Sequence, residues 1–164
     1  MNYMKIDRVS ISNGPGVRVV LWVAGCSHHC PGCQNPETWP PEAGKTFNIG
    51  TVQELYRCLS KPYISGLTLS GGDPLFSQNI KTITLFAQAC KKYFPTKTIW
   101  LWTGYEWADV KDIEIMPYLD VIVTGPFIES QKDYTLPYCG SRNQQVIDVK
   151  ASLAANSIIL YKED

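Results

Sequence analysis

The chain has 164 residues, of which 45% are apolar and 18% charged. This composition excludes a disordered chain and is enough for one packed core, so we expect a single domain over residues 1–164. Fifteen basic and fifteen acidic residues cancel, so charge gives no reason to expect nucleic acid or an anionic membrane as a partner.

Predicted strands and helices alternate along the chain. Strands are expected over residues 17–23, 66–69, 98–103, 120–124, 145–149 and 158–161, the first of them a run rich in β-branched residues and the second a short one that ends in SGGDP. Helices are expected where apolar residues recur at helical spacing, over residues 51–60, 79–94 and 106–116. The first helix is predicted to begin at a capping box formed by Thr51 and Glu54.

This alternation favours βαβ units and a mainly parallel sheet. Five or six strands are fewer than a closed eight-stranded barrel needs. We therefore expect an α/β fold in the form of a partial, open (βα)5-6 TIM-like barrel. Four polar or Gly-rich segments follow the first four strands: a cysteine loop, SGGDP, TGY and TGPF. The carboxyl ends of parallel strands share one rim, so these segments predict a single site there.

The cysteines are the strongest chemical signal in the sequence, and the expected location of the chain decides how they are interpreted. The first residues, MNYMK, lack the features of an export signal, and no apolar stretch is long enough to span a bilayer. A cytoplasmic location is therefore expected. A reducing cytosol disfavours disulfides. Cys26, Cys30 and Cys33 lie within eight residues and are too close to pair easily with one another. They predict a shared metal ion or cluster.

Two kinds of metal site fit this spacing. Thiolates suit both iron–sulfur clusters and zinc. In a cubane cluster, three closely spaced cysteines would bind three irons and leave the fourth iron open for a substrate. The alternative is a structural zinc site, with His28 or His29 as fourth ligand, on a non-catalytic protein-binding module. Zinc sites are usually built from two separated pairs, and the sequence has no second Cys-x-x-Cys pair. Spacing therefore favours the cluster and leaves zinc as the alternative.

The other cysteines have plainer interpretations. Cys90 is expected in the core and Cys58 at the edge of a helix face. Cys139 is expected to be a free thiol, with a fourth cluster ligand as the alternative. His28 and His29 either shape the surroundings of the cluster or are loop residues in solvent.

Two motifs resemble the radical S-adenosylmethionine superfamily. The first is the CxxxCxxC pattern of residues 26–33 after the first strand. The second is SGGDP at residues 70–74, which is similar to the GGE-type motif whose backbone binds the methionyl amino group in that superfamily. The resemblance implies that S-adenosylmethionine contacts Gly71, Gly72 and Asp73.

Many members have an aromatic residue before the third cysteine to contact adenine. Because Gly32 stands there in this chain, adenine is expected to contact the backbone of Gly32 and Gln34.

A longer set of motifs resembles the family of activating proteins of anaerobic ribonucleotide reductase. The matching segments follow in order at residues 13–16, 18, 25–33, 35–39, 67–75, 99–105, 125–127 and 140–144. Two positions depart from the common pattern, since Thr124 replaces an aspartate and Cys139 replaces an arginine.

The resemblance implies a cofactor, a reaction and partners. The cofactor would be a [4Fe-4S] cluster with three cysteine ligands and one open iron, at which S-adenosylmethionine is reductively cleaved. The resulting radical would be transferred to a glycine of anaerobic ribonucleoside-triphosphate reductase, the class III ribonucleotide reductase. An electron donor such as reduced flavodoxin is implied as well. An alternative keeps the radical chemistry and replaces the protein substrate by a small molecule. The loop over residues 36–50 is a candidate for docking the reductase, or for simply covering the cluster.

Overall fold

A computed structural model describes residues 1–163 of the chain. In this part of the chain seven strands form one open sheet, in the order β3-β1-β2-β4-β5-β6-β7. The strands are β1 (Asn2–Ser10), β2 (Arg18–Val23), β3 (Lys45–Thr46), β4 (Gly66–Gly71), β5 (Thr98–Trp102), β6 (Val121–Thr124) and β7 (Gln145–Asp148).

The sheet has a parallel centre and antiparallel flanks. The pairs β2–β4, β4–β5 and β5–β6 are parallel. The pairs β1–β2, β1–β3 and β6–β7 are antiparallel. The predicted α/β class and the open sheet are confirmed. The sheet is mixed rather than mainly parallel, and the TIM-like barrel is not confirmed, because the outer strands return antiparallel without a helical crossover.

Four α-helices accompany the sheet in the described residues: α1 (Ile49–Leu59), α2 (Ile80–Tyr93), α3 (Trp107–Val110) and α4 (Val149–Ala155). Short 3-10 helices lie at Pro36–Thr38, Met116–Tyr118 and Glu129–Gln131. Within residues 1–163, no helix combines the length and the apolar character needed to cross a membrane.

Three sequence predictions about these elements were wrong in detail. Helix α1 begins before residue 51, because Asn48 caps it by accepting a hydrogen bond from the Thr51 N–H while the Thr51 hydroxyl accepts one from the Asn48 N–H. The predicted box of Thr51 and Glu54 is therefore shifted by three residues. The helix predicted over residues 106–116 ends at Val110. The strand predicted at 158–161 forms an isolated bridge, Ile147 to Leu160, beside β7.

The two faces of the central sheet have different environments. One face belongs to a buried apolar core with α1 and α2, including Val19, Leu21 and Leu69 from the strands. The other face carries Arg18, whose side chain is fully buried. Its guanidinium donates hydrogen bonds to the Thr68 hydroxyl (2.8 Å) and other neutral oxygens, and burial lowers its pKa to about 10. Arg18 thus ties together the amino ends of the parallel strands.

Candidate cluster site

A cavity of about 390 Å³ lies at the carboxyl ends of the parallel strands. Its volume is in the range typical of small-molecule sites. The residues that line it include parts of all four segments that follow β2, β4, β5 and β6, with a contribution from residues 136–144. The prediction that these segments meet on one rim is therefore confirmed.

Cys26, Cys30 and Cys33 all line this cavity as half-buried free thiols. Backbone hydrogen bonds hold the start of their loop, from the Gly25 N–H to the Thr38 carbonyl (2.8 Å) and from the Cys26 N–H to the Trp39 carbonyl (3.1 Å). The three thiols therefore open into one space on an anchored loop.

The sulfurs also have nearby backbone donors. Burial raises the pKa of the Cys26 thiol, while hydrogen bonds from the backbone N–H groups of His28 and His29 act in the opposite direction. The Cys33 sulfur accepts a hydrogen bond from the Asn35 N–H at 3.4 Å. Hydrogen bonds to ligand sulfurs are a feature of iron–sulfur sites, where they tune the potential. The donor set of this loop therefore fits a cluster held by three thiolates.

A cluster and a single ion need different ligand arrangements. Within residues 1–163, no group of three or more His, Cys, Asp or Glu side chains is arranged to hold a metal ion. In a cubane each thiolate binds a different iron, so the ligands do not have to converge on one atom.

Both histidines of the cysteine loop have partners elsewhere. The His28 Nε2 lies 2.9 Å from Asp73 Oδ2, and the His28 side chain is only 18% exposed. Its ring packs edge-on against Tyr105, at 4.6 Å between centroids. The His29 ring lies 4.8 Å from Trp39. His28 is thus an enclosed residue beside the cavity and not a solvated loop residue.

The SGGDP turn runs directly against the start of the cysteine loop. The Gly72 N–H donates to the Val23 carbonyl and the Asp73 N–H to the Gly25 carbonyl, each at 2.8 Å. Gly71 has a φ of 113°, and a Cβ on Gly72 would lie 2.5 Å from the Gly25 carbonyl oxygen. Both positions therefore require glycine, one for its backbone conformation and one for the close approach of two chains.

The Asp73 carboxylate is buried among donors, with a relative exposure of 1%. Oδ1 accepts a hydrogen bond from the Leu75 N–H (2.8 Å). Oδ2 accepts one from the Gly104 N–H (3.0 Å), and the Thr103 hydroxyl lies within 3.0 Å of both oxygens. Thr103 and His28 are partners that the sequence did not assign, because the contacts join residues 30 and 45 positions away from Asp73. The TGY segment was the signal that placed Thr103 on the rim.

The two residues predicted to contact adenine are placed differently. Gln34 lines the cavity, whereas Gly32 lies outside the set of lining residues. Gly32 has a φ of 71°, and a Cβ on it would lie 2.7 Å from the Glu129 side chain. This conformation and the neighbouring glutamate explain why residue 32 carries no side chain.

The remaining cysteines lie in three different environments. Cys139 lines the cavity, and burial raises its pKa. Cys90 on α2 is 3% exposed, and burial raises its pKa to about 12, which confirms the core prediction. Cys58 lies half-buried on α1. Cys139 thus shares the cavity with the three loop cysteines, which keeps open its alternative interpretation as a fourth ligand.

Trp102 belongs to the rim as well. It lines the cavity, and its indole N–H donates to the Tyr138 carbonyl at 2.9 Å. Tyr138 also lines the cavity, and its ring packs edge-on against Trp100 at 5.0 Å. The structure thus places Trp102 on the rim, although it alternates with the buried Trp100 along β5.

Comparison with known proteins gives consistent matches over most of the chain. A family model described as a 4Fe-4S single cluster domain matches residues 12–147. A protein of Enterobacteria phage T4 is 47% identical over 146 residues, which cover 89% of this chain and 93% of the phage protein. A protein of Haemophilus influenzae is 41% identical over 148 residues, covering 88% and 96%, and one of Escherichia coli K12 is 39% identical over 150 residues, covering 89% and 97%. Each of these relatives is named anaerobic ribonucleoside-triphosphate reductase-activating protein.

Proposed function

The chain belongs to the family of anaerobic ribonucleoside-triphosphate reductase-activating proteins, and from this premise we propose how it acts. It generates a glycyl radical on the class III reductase through reductive cleavage of S-adenosylmethionine at a [4Fe-4S] cluster. It is thus a radical S-adenosylmethionine oxidoreductase, formed by one domain over residues 1–164. The observation that carries this proposal is that the cysteine loop and the SGGDP turn, on neighbouring strands β2 and β4, open into one cavity.

In this proposal Cys26, Cys30 and Cys33 hold the cluster and leave one iron for the cosubstrate. When bound, the cluster supplies one electron to S-adenosylmethionine, which yields methionine and a 5′-deoxyadenosyl radical. The protein contributes position and exclusion of side reactions rather than acid–base chemistry. The anchored start of the cysteine loop, with its bonds to Thr38 and Trp39, supports the first of these two tasks.

The cosubstrate is held by backbone at two places. The turn of Gly71, Gly72 and Asp73 binds the methionyl amino group. Adenine contacts the backbone at Gln34, which lines the cavity, and reaches Gly32 only at the edge of the site, since Gly32 lies outside the lining. The backbone hydrogen bonds from the turn to Val23 and Gly25 support this assignment, because they keep the turn rigid. A preorganised backbone loses little conformational freedom on binding.

The substrate is a protein segment rather than a small molecule. Neutral polar side chains form much of the cavity lining, among them Ser12, Asn13, Asn35 and Gln144. Amide side chains both donate and accept hydrogen bonds, as peptide groups do. This lining suits an uncharged, extended stretch of polypeptide that carries the target glycine.

The cellular setting follows from the same premise. All six cysteines are free in the structure, which suits a reducing compartment such as the cytoplasm. We therefore propose a cytoplasmic location and an electron donor such as reduced flavodoxin.

Anaerobic reconstitution with iron and sulfide tests the cofactor and the reaction together. We expect a brown protein with about four irons and four sulfides per chain. After reduction it should convert S-adenosylmethionine into methionine and 5′-deoxyadenosine. The matched control is Cys58→Ala, whose thiol is on α1 and outside the cavity lining; it should behave as the wild type. A colourless protein that binds one zinc per chain would contradict the proposal.

A further inference from the structure

Asp73 connects three separate segments of the site through one carboxylate. The His28 ring belongs to the cysteine loop, the Leu75 N–H to the turn after β4, and the Thr103 hydroxyl and Gly104 N–H to the end of β5. These segments are distant in sequence and meet only because β2, β4 and β5 are neighbours in the sheet.

The carboxylate has no capacity left for a ligand. Its two oxygens offer about four acceptor sites. Five contacts of 2.8–3.0 Å from four donor groups fill them, and Asp73 is 1% exposed. A further donor would have to displace one of these partners, which costs a buried hydrogen bond.

His28 is the counterpart of Asp73 on the cysteine loop. Its ring is held by the hydrogen bond to Oδ2, by Tyr105 and by Gly104. A Cβ on Gly104 would lie 2.5 Å from the ring, so the β5 end leaves room for the imidazole only because residue 104 is glycine. His28 lies between Cys26 and Cys30 in the chain, two residues from each. A shift of the ring would therefore move the backbone that joins two of the loop cysteines.

We propose that Asp73 is a positioning residue whose carboxylate holds His28, and thereby fixes the loop of Cys26, Cys30 and Cys33 against the ends of β4 and β5. S-adenosylmethionine is then met by the backbone of the turn and not by the Asp73 side chain. This inference rests on the proposed function, since it concerns the orientation of the cluster ligands. It assigns to Asp73 of the SGGDP turn a role distinct from that of the two glycines of the turn.

The test compares Asp73→Asn, His28→Gln and the double variant as reconstituted proteins. Each keeps the three cysteines, so iron and sulfide content should stay near the wild-type value. The paramagnetic resonance spectrum of the reduced cluster, with and without S-adenosylmethionine, should change in the same way in all three. The kcat for S-adenosylmethionine cleavage should fall by about 10- to 100-fold, as expected when a partner of a metal ligand is lost, while KM stays near the wild-type value. The double variant should lose no more activity than the weaker of the two single variants, because each single substitution already removes the same contact between His28 and Asp73.

Asp120→Asn is the matched control. The Asp120 carboxylate also accepts a strand N–H, that of Ile99 at 2.7 Å, and pairs with Lys91 and Lys150, but it lies at the opposite end of β5. Its variant should lose stability and keep the wild-type resonance spectrum and KM.

Two results would overturn the inference. One is a KM for S-adenosylmethionine raised by about tenfold or more in Asp73→Asn and unchanged in His28→Gln, as the loss of a direct charged hydrogen bond predicts. The other is a wild-type spectrum and kcat in His28→Gln, which decides the matter even if Asp73→Asn does not fold. A wild-type protein without a cluster or without cleavage activity would instead refute the proposed function.

Discussion

At the scale of single residues, the proposed function depends on three of the six cysteines. We predict that Cys26→Ala, Cys30→Ala and Cys33→Ala each lose the catalytic cluster, because a cubane with two thiolate ligands on this loop is held too weakly. Iron and sulfide content and the visible absorbance after anaerobic reconstitution measure the loss.

Cys139→Ala is the informative companion variant because Cys139 lines the same cavity. The variant should keep the cluster and its activity. Loss of iron in this variant would mean that Cys139 is a fourth ligand and that the cluster has no open iron.

A second prediction at this scale concerns pH and the buried thiol of Cys90. Burial raises its pKa from 9.0 to about 12, so both states keep the proton below pH 9. Between about pH 9 and pH 12 only the unfolded chain loses the Cys90 thiol proton, so the free energy of unfolding falls as the pH rises. By about pH 10 the wild type should lose roughly 1 kcal/mol of unfolding free energy from this group. Cys90→Ala should be less stable by roughly 1 kcal/mol at about pH 8 and should lose that deficit by about pH 10.

Urea unfolding of both proteins under anaerobic, reducing conditions measures the difference. Taking the difference between the two proteins cancels the titration of the other cysteines. A deficit of constant size at both pH values would show that Cys90 ionises equally in the folded and unfolded chains.

At the scale of elements, the sequence predicted the buried parts of the sheet and missed its flanks. Strands β2, β5 and β6 are buried runs rich in β-branched and aromatic residues, and β4 is a short buried run of Leu and Thr between glycines, so all four patterns are recognisable without a structure. Strand β1 is half-exposed and carries Lys5, Asp7 and Arg8, so its sequence lacks that signal. Strand β3 has only two residues. Its pairing with β1 depends on tertiary contacts.

The site could be predicted only as far as local motifs reach. Spacing identified the cysteine loop, and the glycines identified the turn after β4. The bond between His28 and Asp73 spans 45 positions, and no local pattern indicates it. Such contacts depend on the sheet order, which the sequence did not specify.

The close approach of these two loops gives a prediction at the element scale. Gly72→Ala places a methyl group 2.5 Å from the Gly25 carbonyl oxygen. The backbones must separate, so we expect a loss of roughly 1–3 kcal/mol in unfolding free energy together with reduced iron content. Gly50→Ala is the control, since Gly50 lies in the first turn of α1. A Cβ on Gly50 would have Asn48 Oδ1 as its nearest neighbour, at 3.2 Å. Gly50 is exposed and the contacted atom belongs to a side chain, so this variant should stay within about 0.5 kcal/mol of the wild type. Equal stability and equal iron content in the two variants would contradict this packing argument.

At the scale of the whole molecule, the sheet order explains why one cavity serves the entire site. The four central strands run parallel, so their carboxyl ends lie on one rim. The antiparallel flanks add residues from both sides, Ser12 and Asn13 after β1 and Gln144 before β7. In the proposed function the cluster ligands, the S-adenosylmethionine contacts and the entrance for a protein segment would therefore share this single opening.

The most direct test of the account is electron paramagnetic resonance of a defined mixture. It contains the reconstituted and reduced protein, S-adenosylmethionine and the anaerobic reductase of the same organism, under anaerobic conditions. We expect a glycyl-radical signal on the reductase that requires all three components and is absent with Cys30→Ala. Cleavage of S-adenosylmethionine without any radical on the reductase would contradict the account.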